Sequence, residues 1–488
     1  MDQYAPHTIL QTPAPETLER IRQLIQSKQM AEADRVCRQQ FRTGPDDIEI
    51  LFSLAKFAAE NGEDQRATLL LEQAVATGLA GPGIYTFLCN LYRHDGRLEE
   101  ALEMGRRAIK LPGFAEGAPF HLALVHRDLH QFDEAASYLL QALAVDPDYA
   151  DARLELGQLL LRIGEFEAGW IEYEWRFAVE NMRGVLPKLN AAQWNGMRLP
   201  KDRILLIGDQ GYGDTIQFAR YIPQVRERVE EVLVACSREM LPLISGIPGV
   251  KECFVEWADV PSFGVYCTLS GLPRIFETKN DSIPADVPYL KADPAKVRRW
   301  SDRLRESVGD RSLRVGVVWA GRPSHPDDRR RSLKWTHLLP LTRIKSVALI
   351  SLQKEIPARD RPAFPGGRSV LELSAELGDF GDTAAVIENL DLVVTADSSV
   401  GHLAGALAKP VWVMLPWVPD WRWMLDRADS PWYPTMRLLR QHRLGDWSEV
   451  IARVVRGVEM ASVAHHRLRP QELARGARRE NKIGANAR

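Results

Sequence analysis

Cysteine is scarce in this sequence, and its spacing indicates neither a disulfide framework nor a zinc site. The five cysteines are scattered, and no two of them stand in a C-x-x-C arrangement. They are Cys37, Cys89, Cys236, Cys253 and Cys267. We therefore expect cysteine chemistry to have no organising part in the fold.

Long apolar runs and an excess of one sign of charge are also absent. No run approaches the roughly 18 apolar residues that cross a bilayer, and residues 1–15 lack the basic and apolar segments of a signal peptide. Lys and Arg total 63 against 65 Asp and Glu, a net charge of -2. This balance gives no general reason to expect nucleic acid as a partner. The expectation is a soluble, cytoplasmic protein with no membrane span and no nucleic-acid partner.

Several catalytic signatures are missing as well. The chain contains no G-x-S-x-G, H-E-x-x-H or P-loop, which argues against the common hydrolase, metalloprotease and NTPase types. It also lacks the G-x-G-x-x-G fingerprint, so a nicotinamide-dependent oxidoreductase is weakly supported. Its 488 residues allow about three domains, at a prior of roughly 150 residues per domain.

The first third of the chain contains a repeat of 34 residues. Small residues recur at this spacing in three registers, which lets the two helices of a hairpin approach closely. The registers are Ala55, Cys89, Ala123 and Gly157; Ala67, Ala101, Ala135 and Gly169; and Ala74, Ala108 and Ala142. In the last repeat Trp170, Tyr173 and Trp175 are too large for small positions, and we expect them to pack on the next domain.

This period resembles the tetratricopeptide repeat and predicts an α-solenoid over residues 14–180. A solenoid of this kind exposes a concave surface that suits a peptide or protein partner. The alternative interpretation is a helical spacer that solubilises or dimerises the protein.

From about residue 187 the composition predicts an α/β architecture. Nearly continuous apolar runs of strand length alternate with helical stretches, which indicates parallel sheets covered by helices. The runs lie at 203–207, 231–236, 314–319, 347–351, 390–395 and 410–415. A charged segment at 291–311 interrupts the alternation, so we predict two Rossmann-like domains, 187–300 and 312–460. Residues 461–488 read as a basic, flexible tail.

Ligands bind such sheets beyond the carboxyl ends of the strands, and the first loop of interest lies at such an end. It runs from Gly208 to Thr215, and its glycines allow close backbone approach to a ligand. Asp214 stands at the start of the following helix. It could cap that helix, or it could act as a general base exposed in a cleft. The residues leave both roles open.

A second loop, at residues 319–332, carries three consecutive arginines, ending in Arg331-Ser332 and followed by Lys334. Guanidinium groups bind diphosphates through charge-assisted hydrogen bonds, although a charge run is also typical of a solvated loop. Gln353 and Lys354, at the end of another strand, are further candidates.

The third loop, residues 397–407, follows the strand Leu392-Val393-Val394-Thr395. Hydroxyl groups and backbone N–H groups at a helix N-terminus form a phosphate cradle. The residues at this start are Asp397, Ser398, Ser399, Gly401 and His402.

The string D-S-S-V-G-H-L-A-G-A-L-x-K-P-V-W, which begins at Asp397, resembles the nucleotide-sugar segment of inverting bacterial glycosyltransferases of the heptosyltransferase type. It is more distantly similar to O-linked N-acetylglucosamine transferases. Gly213-Asp214 corresponds to the GD motif of these enzymes. With residues 316–319 and 419–423, the resemblance covers about 187–455. Together with the repeats, the chain is similar to bacterial tetratricopeptide-repeat glycosyltransferases, some of which modify flagellin.

The resemblance implies the fold called GT-B and an inverting, metal-independent transfer from a nucleotide sugar, with no further cofactor. Residues 187–488 contain no D-x-D triplet, the metal-binding signature of the other main glycosyltransferase fold. The repeats would hold a protein acceptor, Asp214 would be the base, and Gln210, Gly211, Tyr212 and Gly213 would form the acceptor-side loop. The donor site would contain Arg331, Ser332, Lys334, Gln353, Lys354, Asp397, Ser398, Ser399, Gly401 and His402.

One departure keeps other functions open. Heptosyltransferases act on a lipid-linked core sugar and have no repeat array, so the acceptor could instead be a cell-envelope glycan or a lipid-linked saccharide. A catalytically silent scaffold that binds a nucleotide sugar is a further alternative. The aromatic-rich segment 417–433 could form a donor-site wall, or it could be hydrophobic packing.

Overall fold

The computed structural model describes residues 15–40, 47–114, 116–310, 312–323, 328–365 and 369–485. The chain divides into two compact units, one ending at Leu156 and the other beginning at Gly157. Both predicted Rossmann-like domains lie in the second unit, which also takes in the end of the last repeat. None of the helices in these ranges combines the length and the apolar character needed to cross a membrane.

The repeat region consists of consecutive helices that form antiparallel hairpins. They are α1 (Pro15–Gln26), α2 (Met30–Gln40), α3 (Ile48–Glu60), α4 (Asp64–Ala76), α5 (Pro82–His94), α6 (Leu98–Lys110), α7 (Gly117–Asp128), α8 (Phe132–Val145), α9 (Ala150–Ile163) and α10 (Phe166–Tyr173). The small residues of the three registers are buried in the helix contacts, among them Ala55, Cys89 and Ala123. Gly62 and Gly96 adopt positive φ at the predicted turns. The helical solenoid expected from the 34-residue period is confirmed.

Close approach explains the glycine at the fourth position of the first register. A Cβ on Gly157 would lie 2.6 Å from the backbone nitrogen of Tyr173, so α9 and α10 could not pack as they do with a larger residue. The large aromatic residues that follow pack within the second unit. Trp170 donates its indole N–H to the carbonyl oxygen of Thr278 at 2.8 Å, and its ring lies 5.2 Å from that of Trp421.

The first sheet of the second unit has five parallel strands in the order β1-β5-β2-β3-β4. The strands are β1 (Ala192–Gln193), β2 (Leu199–Ile207), β3 (Val229–Ala235), β4 (Val250–Phe254) and β5 (Val265–Thr268). The helices of this part are α11 (Tyr212–Phe218), α12 (Ile222–Arg226), α13 (Leu241–Ile244) and α14 (Leu272–Ile275). Strand β2 is central, and the loop that contains Asp214 follows its carboxyl end.

Helix α15 (Pro294–Val308) connects the two sheets and corresponds to the charged segment in the sequence. The second sheet has six parallel strands in the order β11-β10-β9-β6-β7-β8. They are β6 (Leu313–Val318), β7 (Val347–Ser351), β8 (Leu371–Glu372), β9 (Leu392–Ala396), β10 (Val411–Leu415) and β11 (Met436–Arg440). The two parallel sheets agree with the Rossmann-like α/β architecture expected from the apolar runs.

The remaining helices belong to the second sheet. They are α16 (Asp328–Arg331), α17 (Trp335–Leu338), α18 (Phe380–Glu388), α19 (Ser399–Ala406) and α20 (Ser448–Ala485). Helix α19 begins directly after β9, as the third loop predicts. Helix α20 continues to Ala485, so the segment interpreted as a flexible tail is helical that far.

Candidate functional site

The loops that follow β2 and β9 meet, although they belong to different sheets. A Cβ on Gly213 would lie 3.0 Å from Cδ2 of His402 and 3.6 Å from Cα of Ser399. Only glycine allows this approach without displacing the imidazole ring. The GD loop and the N-terminal turn of α19 therefore form one site at the carboxyl ends of two central strands.

Asp214 uses both of its carboxylate oxygens. Oδ2 accepts a hydrogen bond from the backbone N–H of Gly211 at 3.0 Å, which caps the start of α11. Oδ1 contacts the guanidinium group of Arg422. The side chain is about one-fifth exposed. The capping role proposed for Asp214 is therefore present, and the carboxylate also faces a buried cation that the sequence analysis did not assign.

Arg422 connects the two sheets through three polar partners. Besides Asp214, its Nη1 lies 2.9 Å from Oδ1 of Asp420, and its Nε donates to Oε1 of Gln217 at 2.5 Å. Gln217 lies on α11, whereas Arg422 and Asp420 follow β10. Burial disfavours the guanidinium charge, but Asp420 and Asp214 outweigh it and raise the pKa of Arg422. Arg422 stays charged, and its position depends on both sheets.

His402 is held in a buried and neutral state. Its Nδ1 forms a 2.9 Å hydrogen bond with the hydroxyl group of Tyr433, and its ring centroid lies 5.1 Å from that of Trp423. Burial lowers the pKa of His402 to about 3, and the nearby charge of Arg422 lowers it further in the same direction. At neutral pH the ring therefore carries no charge and can accept or donate a hydrogen bond.

Asp397 is a buried carboxyl group with an elevated pKa. Burial is the main cause, and repulsion from Asp420 adds to it, so the pKa of Asp397 rises to about 6. Arg331 acts in the opposite direction. Arg331, from the second loop, is therefore near enough to interact electrostatically with Asp397, from the third.

The other residues of the third loop shape the start of α19. Oγ of Ser398 lies 2.8 Å from Oγ1 of Thr395, so this hydroxyl group is tied to the end of β9. Ser399 is the first residue of the helix. A Cβ on Gly401 would lie 3.1 Å from Cγ2 of Thr395, so glycine lets α19 pack closely on its strand.

The second loop, at residues 319–332, is held by hydrogen bonds around Ser332. Residues 324–327 lie outside the described residues. Ser332 donates its hydroxyl to Oδ1 of Asp328 at 2.7 Å and accepts the backbone N–H of Gly321 at 2.9 Å. Nε of Arg331 is buried and lies 3.8 Å from Oδ1 of Asp328, an ion-pair distance, but no acceptor in the described part of the chain lies within hydrogen-bond reach of it. Arg331 therefore retains a buried N–H group that a ligand could use.

Two predicted donor-site residues, Gln353 and Lys354, have other contacts, and a third, Lys334, is exposed. Gln353 accepts from the backbone N–H groups of Trp319 and Ala320, each at 3.1 Å, and donates to the carbonyl of Ala320. Lys354 donates to the carbonyl oxygens of Ser374 and Leu377. Gln353 and Lys354 thus stabilise loops of the second sheet in this structure.

The remaining residues of the acceptor-side loop have distinct contacts. Oε1 of Gln210 lies 3.2 Å from the hydroxyl group of Tyr173. The ring of Tyr212 packs edge-on against Phe380 with centroids 4.9 Å apart. Gly211 supplies the N–H group that Asp214 accepts. Tyr212 is half-buried, so this side of the loop remains accessible.

The aromatic segment 417–433 forms packing between the sheets. Trp421, Trp423, Trp432 and Tyr433 are almost completely buried. Arg220, which the sequence analysis also missed, donates to the carbonyl oxygen of Trp432 at 2.7 Å and lies over the ring of Tyr433. Of the two interpretations of this segment, packing is the one that describes these side chains.

The comparisons with known proteins identify the repeats. Residues 120–173 match the tetratricopeptide repeat family. Protein FlbA of Caulobacter vibrioides is 25% identical over 454 residues, which cover 84% of this chain and 72% of FlbA. The chain contains tetratricopeptide repeats, as the 34-residue period predicts.

Two solved structures are similar to about a third of this chain. MamA from Desulfovibrio magneticus RS-1 is 15% identical, with a TM-score of 0.30, over 35% of this chain and 96% of that one. YrrB, described as a TPR protein with an unusual peptide-binding site, is 15% identical, with a TM-score of 0.31, over 36% of this chain and 90% of that one.

Proposed function

We propose that the protein is an inverting, metal-independent glycosyltransferase. It transfers a sugar from a nucleotide-sugar donor to a protein acceptor that the tetratricopeptide repeats recruit. The juxtaposition of Gly213 with His402 carries this proposal, because these residues belong to the two motifs that resemble glycosyltransferases and lie 189 positions apart in sequence, yet meet in one site. Such crevices at strand ends bind nucleotides in α/β proteins.

Buried N–H groups that lack a hydrogen-bond acceptor favour an anionic ligand. Nε of Arg331 and Nε2 of Gln217 are buried N–H donors without an acceptor among the described residues. The N-terminus of α19 adds backbone N–H groups and a positive dipole end. Donors without acceptors match a diphosphate, which is rich in acceptor oxygens. The donor's leaving group would therefore lie between Arg331 and the start of α19.

The reaction is a direct displacement at the anomeric carbon. Asp214 accepts the proton of the acceptor hydroxyl group while the oxygen forms its bond to that carbon. The bond to the donor phosphate breaks, and the nucleoside diphosphate leaves with the electron pair. Arg331 and the neutral imidazole of His402 stabilise the leaving group, as preorganised donors do in other enzymes.

The acceptor is a protein in this proposal because the repeats support a role in protein interaction. The similarity to repeat-containing glycosyltransferases extends the proposal to flagellin as a candidate acceptor. Purification of the protein with a bound lipid-linked saccharide, and transfer to that saccharide, would instead identify a cell-envelope glycan as the acceptor.

A calorimetric screen of nucleotide sugars, followed by transfer of a labelled sugar to candidate acceptors, tests the proposal. His402→Ala and Asp397→Ala should each weaken donor binding by about 1–3 kcal/mol, the scale for losing a buried polar contact. Lys354→Ala is a matched comparison, because Lys354 donates to backbone carbonyls in this structure. Unchanged donor affinity in the first two variants would exclude this site.

A silent scaffold is the second candidate, and one observation favours it. Both oxygens of Asp214 already have partners, Gly211 and Arg422, so an acceptor hydroxyl group would have to use a remaining lone pair or displace Arg422. A scaffold would bind the nucleotide sugar tightly and transfer nothing. Measured binding without transfer to either class of acceptor would select it.

A further inference from the structure

A cavity of about 400 Å³ lies in the first unit, and the lining residues come from α3, α5 and α7 and the turn before α7. These are the first helices of three successive hairpins. Phe52 and Phe87 line it with their rings edge to face, 6.3 Å apart. Its size falls within the roughly 300–1,000 Å³ of ligand pockets. The cavity is large enough for an aromatic side chain and part of its backbone.

Two polar groups at the cavity lack a hydrogen-bond or ion-pair partner among the described residues. Lys56 is exposed, and its Nζ makes a cation–π contact with Phe52, 4.3 Å from the ring centroid, but forms no ion pair with a described residue. Nδ1 of His121 is buried, and no hydrogen-bond partner is found for it in the described ranges. Burial, assisted by the charge of Arg93, lowers the pKa of His121 to about 3, so its ring is neutral. A ligand with a carboxylate and a peptide group would satisfy both.

Glycines keep the cavity open. A Cβ on Gly83 would meet only Cζ of Phe52, at an ordinary 3.6 Å, and a Cβ on Gly117 would meet nothing within 4 Å. The Cβ of a larger side chain at Gly83 would therefore fit without forcing the backbone to move, and the rest of that side chain would compete with a ligand for the space beside Phe52. Gly83→Leu therefore tests whether the cavity is used, with the thermal transition as the check on folding.

We propose that this cavity receives a phenylalanine side chain of the acceptor protein, with an adjacent aspartate paired to Lys56. The proposal rests on the proposed recruitment of a protein by the repeats and specifies its chemistry. The rings of Phe52 and Phe87 provide the edge and face contacts that aromatic side chains prefer. The unpaired charge of Lys56 selects an acidic neighbour. His121 forms a hydrogen bond with the backbone of the bound segment.

Fluorescence anisotropy of the full-length protein with labelled hexapeptides tests this directly. The peptide SGFDGS should bind more tightly than SGADGS, which lacks the ring, and than SGFNGS, which lacks the charge. Loss of an exposed ion pair lowers peptide affinity by up to about fivefold, and loss of the ring should lower it by more. Equal binding of SGFDGS and SGADGS would overturn the proposal.

Variants separate the cavity from nonspecific binding. Gly83→Leu should abolish the preference for SGFDGS, and Lys56→Glu should reduce its binding to that of SGFNGS or below. Lys110→Glu makes the same charge change at an exposed position on α6 outside the cavity lining, and should bind as wild type does. If Gly83→Leu binds the peptides as wild type does and has an unchanged thermal transition, the peptide binds outside this cavity and the proposal is wrong.

The peptide assay needs no sugar transfer, so its failure is distinguishable from failure of the proposed chemistry. Selective peptide binding by a protein that transfers no sugar would support the cavity and refute the transferase. Normal kcat/KM for a protein acceptor in Gly83→Leu would support the transferase and refute the cavity. Where both proposals hold, Gly83→Leu should raise KM for the protein acceptor and leave kcat and donor hydrolysis unchanged.

Discussion

The guanidinium group of Arg422 contacts the carboxylate of Asp214, although the two residues lie 208 positions apart and follow strands of different sheets. Asp420 and Gln217 hold the other nitrogens of the same guanidinium. The orientation of Asp214 therefore depends on the packing of one sheet against the other. If Asp214 is the base, its position depends on Arg422, which has partners from both sheets.

The first prediction concerns the dual role of Asp214. Asp214→Asn retains an oxygen that can accept the N–H of Gly211, so α11 should remain capped. The amide cannot accept a proton, and turnover should fall by about two to four orders of magnitude, the scale for a positioned general base. Donor affinity, measured by calorimetry, should change little. More than about a tenth of wild-type turnover would mean that Asp214 is only a cap.

The second prediction concerns the stability that Arg422 provides. Arg422→Gln leaves the carboxylates of Asp214 and Asp420 without their cation. Their side chains are 21% and 36% exposed, so the free energy of unfolding should fall by about 1–3 kcal/mol, between the scale for an exposed pair and that for a buried one. All 13 tryptophans lie at position 170 or later. Tryptophan fluorescence in urea therefore reports unfolding of the second unit.

Arg427→Gln is the matched control for this measurement. Arg427 pairs with Asp429, which is 70% exposed, and exposed pairs contribute at most about 1 kcal/mol. If the Arg422 and Arg427 variants unfold at the same urea concentration, Arg422 does not hold the two sheets together in the way described.

The third prediction follows from the elevated pKa of Asp397. An ordinary aspartate has a pKa near 3.9, and in the folded protein that of Asp397 is about 6. Between about pH 4 and 6 the unfolded chain releases this proton and the folded protein keeps it. The contribution of Asp397 to the free energy of unfolding therefore falls as pH rises from about 4 to about 6. Above pH 6 this contribution stays at its lower value.

Asp397→Asn removes this pH dependence. As pH rises from 4 to 6, the free energy of unfolding of the variant should increase relative to that of wild type by on the order of 1–3 kcal/mol. Tryptophan fluorescence in urea measures this difference. Asp429→Asn should show the opposite sign and at lower pH, below about 4, because the hydrogen bond from Arg427 lowers the pKa of Asp429 and wild type gains that stability as pH rises toward 4. A difference curve for Asp397→Asn that is flat between about pH 4 and 6 would contradict the elevated pKa.

Much of the architecture could be predicted because it depends on periodic or local patterns. Small residues at steps of 34 fix the helix contacts of the repeats, and apolar runs identify strands such as β2 and β9. The meeting of Gly213 with His402 follows partly from a general property, since functional loops gather at the carboxyl ends of parallel strands. These features need no knowledge of how the two sheets pack.

Side-chain partners across the sheets could not be predicted in the same way. The pairing of Arg422 with Asp214 depends on the relative position of two sheets, which no short motif encodes. Gln353 illustrates a second difficulty, because a polar residue at a strand end can bind neighbouring backbone as readily as a ligand. The aromatic segment at 417–433 is rich in rings in either interpretation, and only its burial distinguishes packing from a ligand wall.

The fourth prediction tests the close approach at Gly213. Its Cβ would lie 3.0 Å from the ring of His402, which the hydrogen bond to Tyr433 holds in place. Gly213→Ala should lower stability by about 1–3 kcal/mol through overpacking and should weaken donor binding in calorimetry. Gly246→Ala is the control, since its Cβ would meet the nearest atom at 3.6 Å. Equal effects of the two substitutions would show that the loops do not meet as described.

The last prediction concerns the division of labour between the two units. Deletion of residues 1–150 removes nearly all of the first unit and retains Gly157, Trp170 and Tyr173, which pack within the second. Donor binding and slow donor hydrolysis should persist, because the two parallel sheets keep their own core. Transfer to a full-length protein acceptor should collapse, since the remote binding energy that positions the acceptor is lost.

A concentrated short acceptor should still be a substrate for the truncated protein, because its hydroxyl group needs only the site around Asp214. A solubilising spacer would give a different result: the truncated protein would aggregate, yet transfer sugar to the protein acceptor normally once it was kept in solution. Steady-state kinetics with both acceptors decide between these interpretations. Unchanged kcat/KM for the protein acceptor in a soluble truncated protein would refute recruitment and assign the repeats an architectural role.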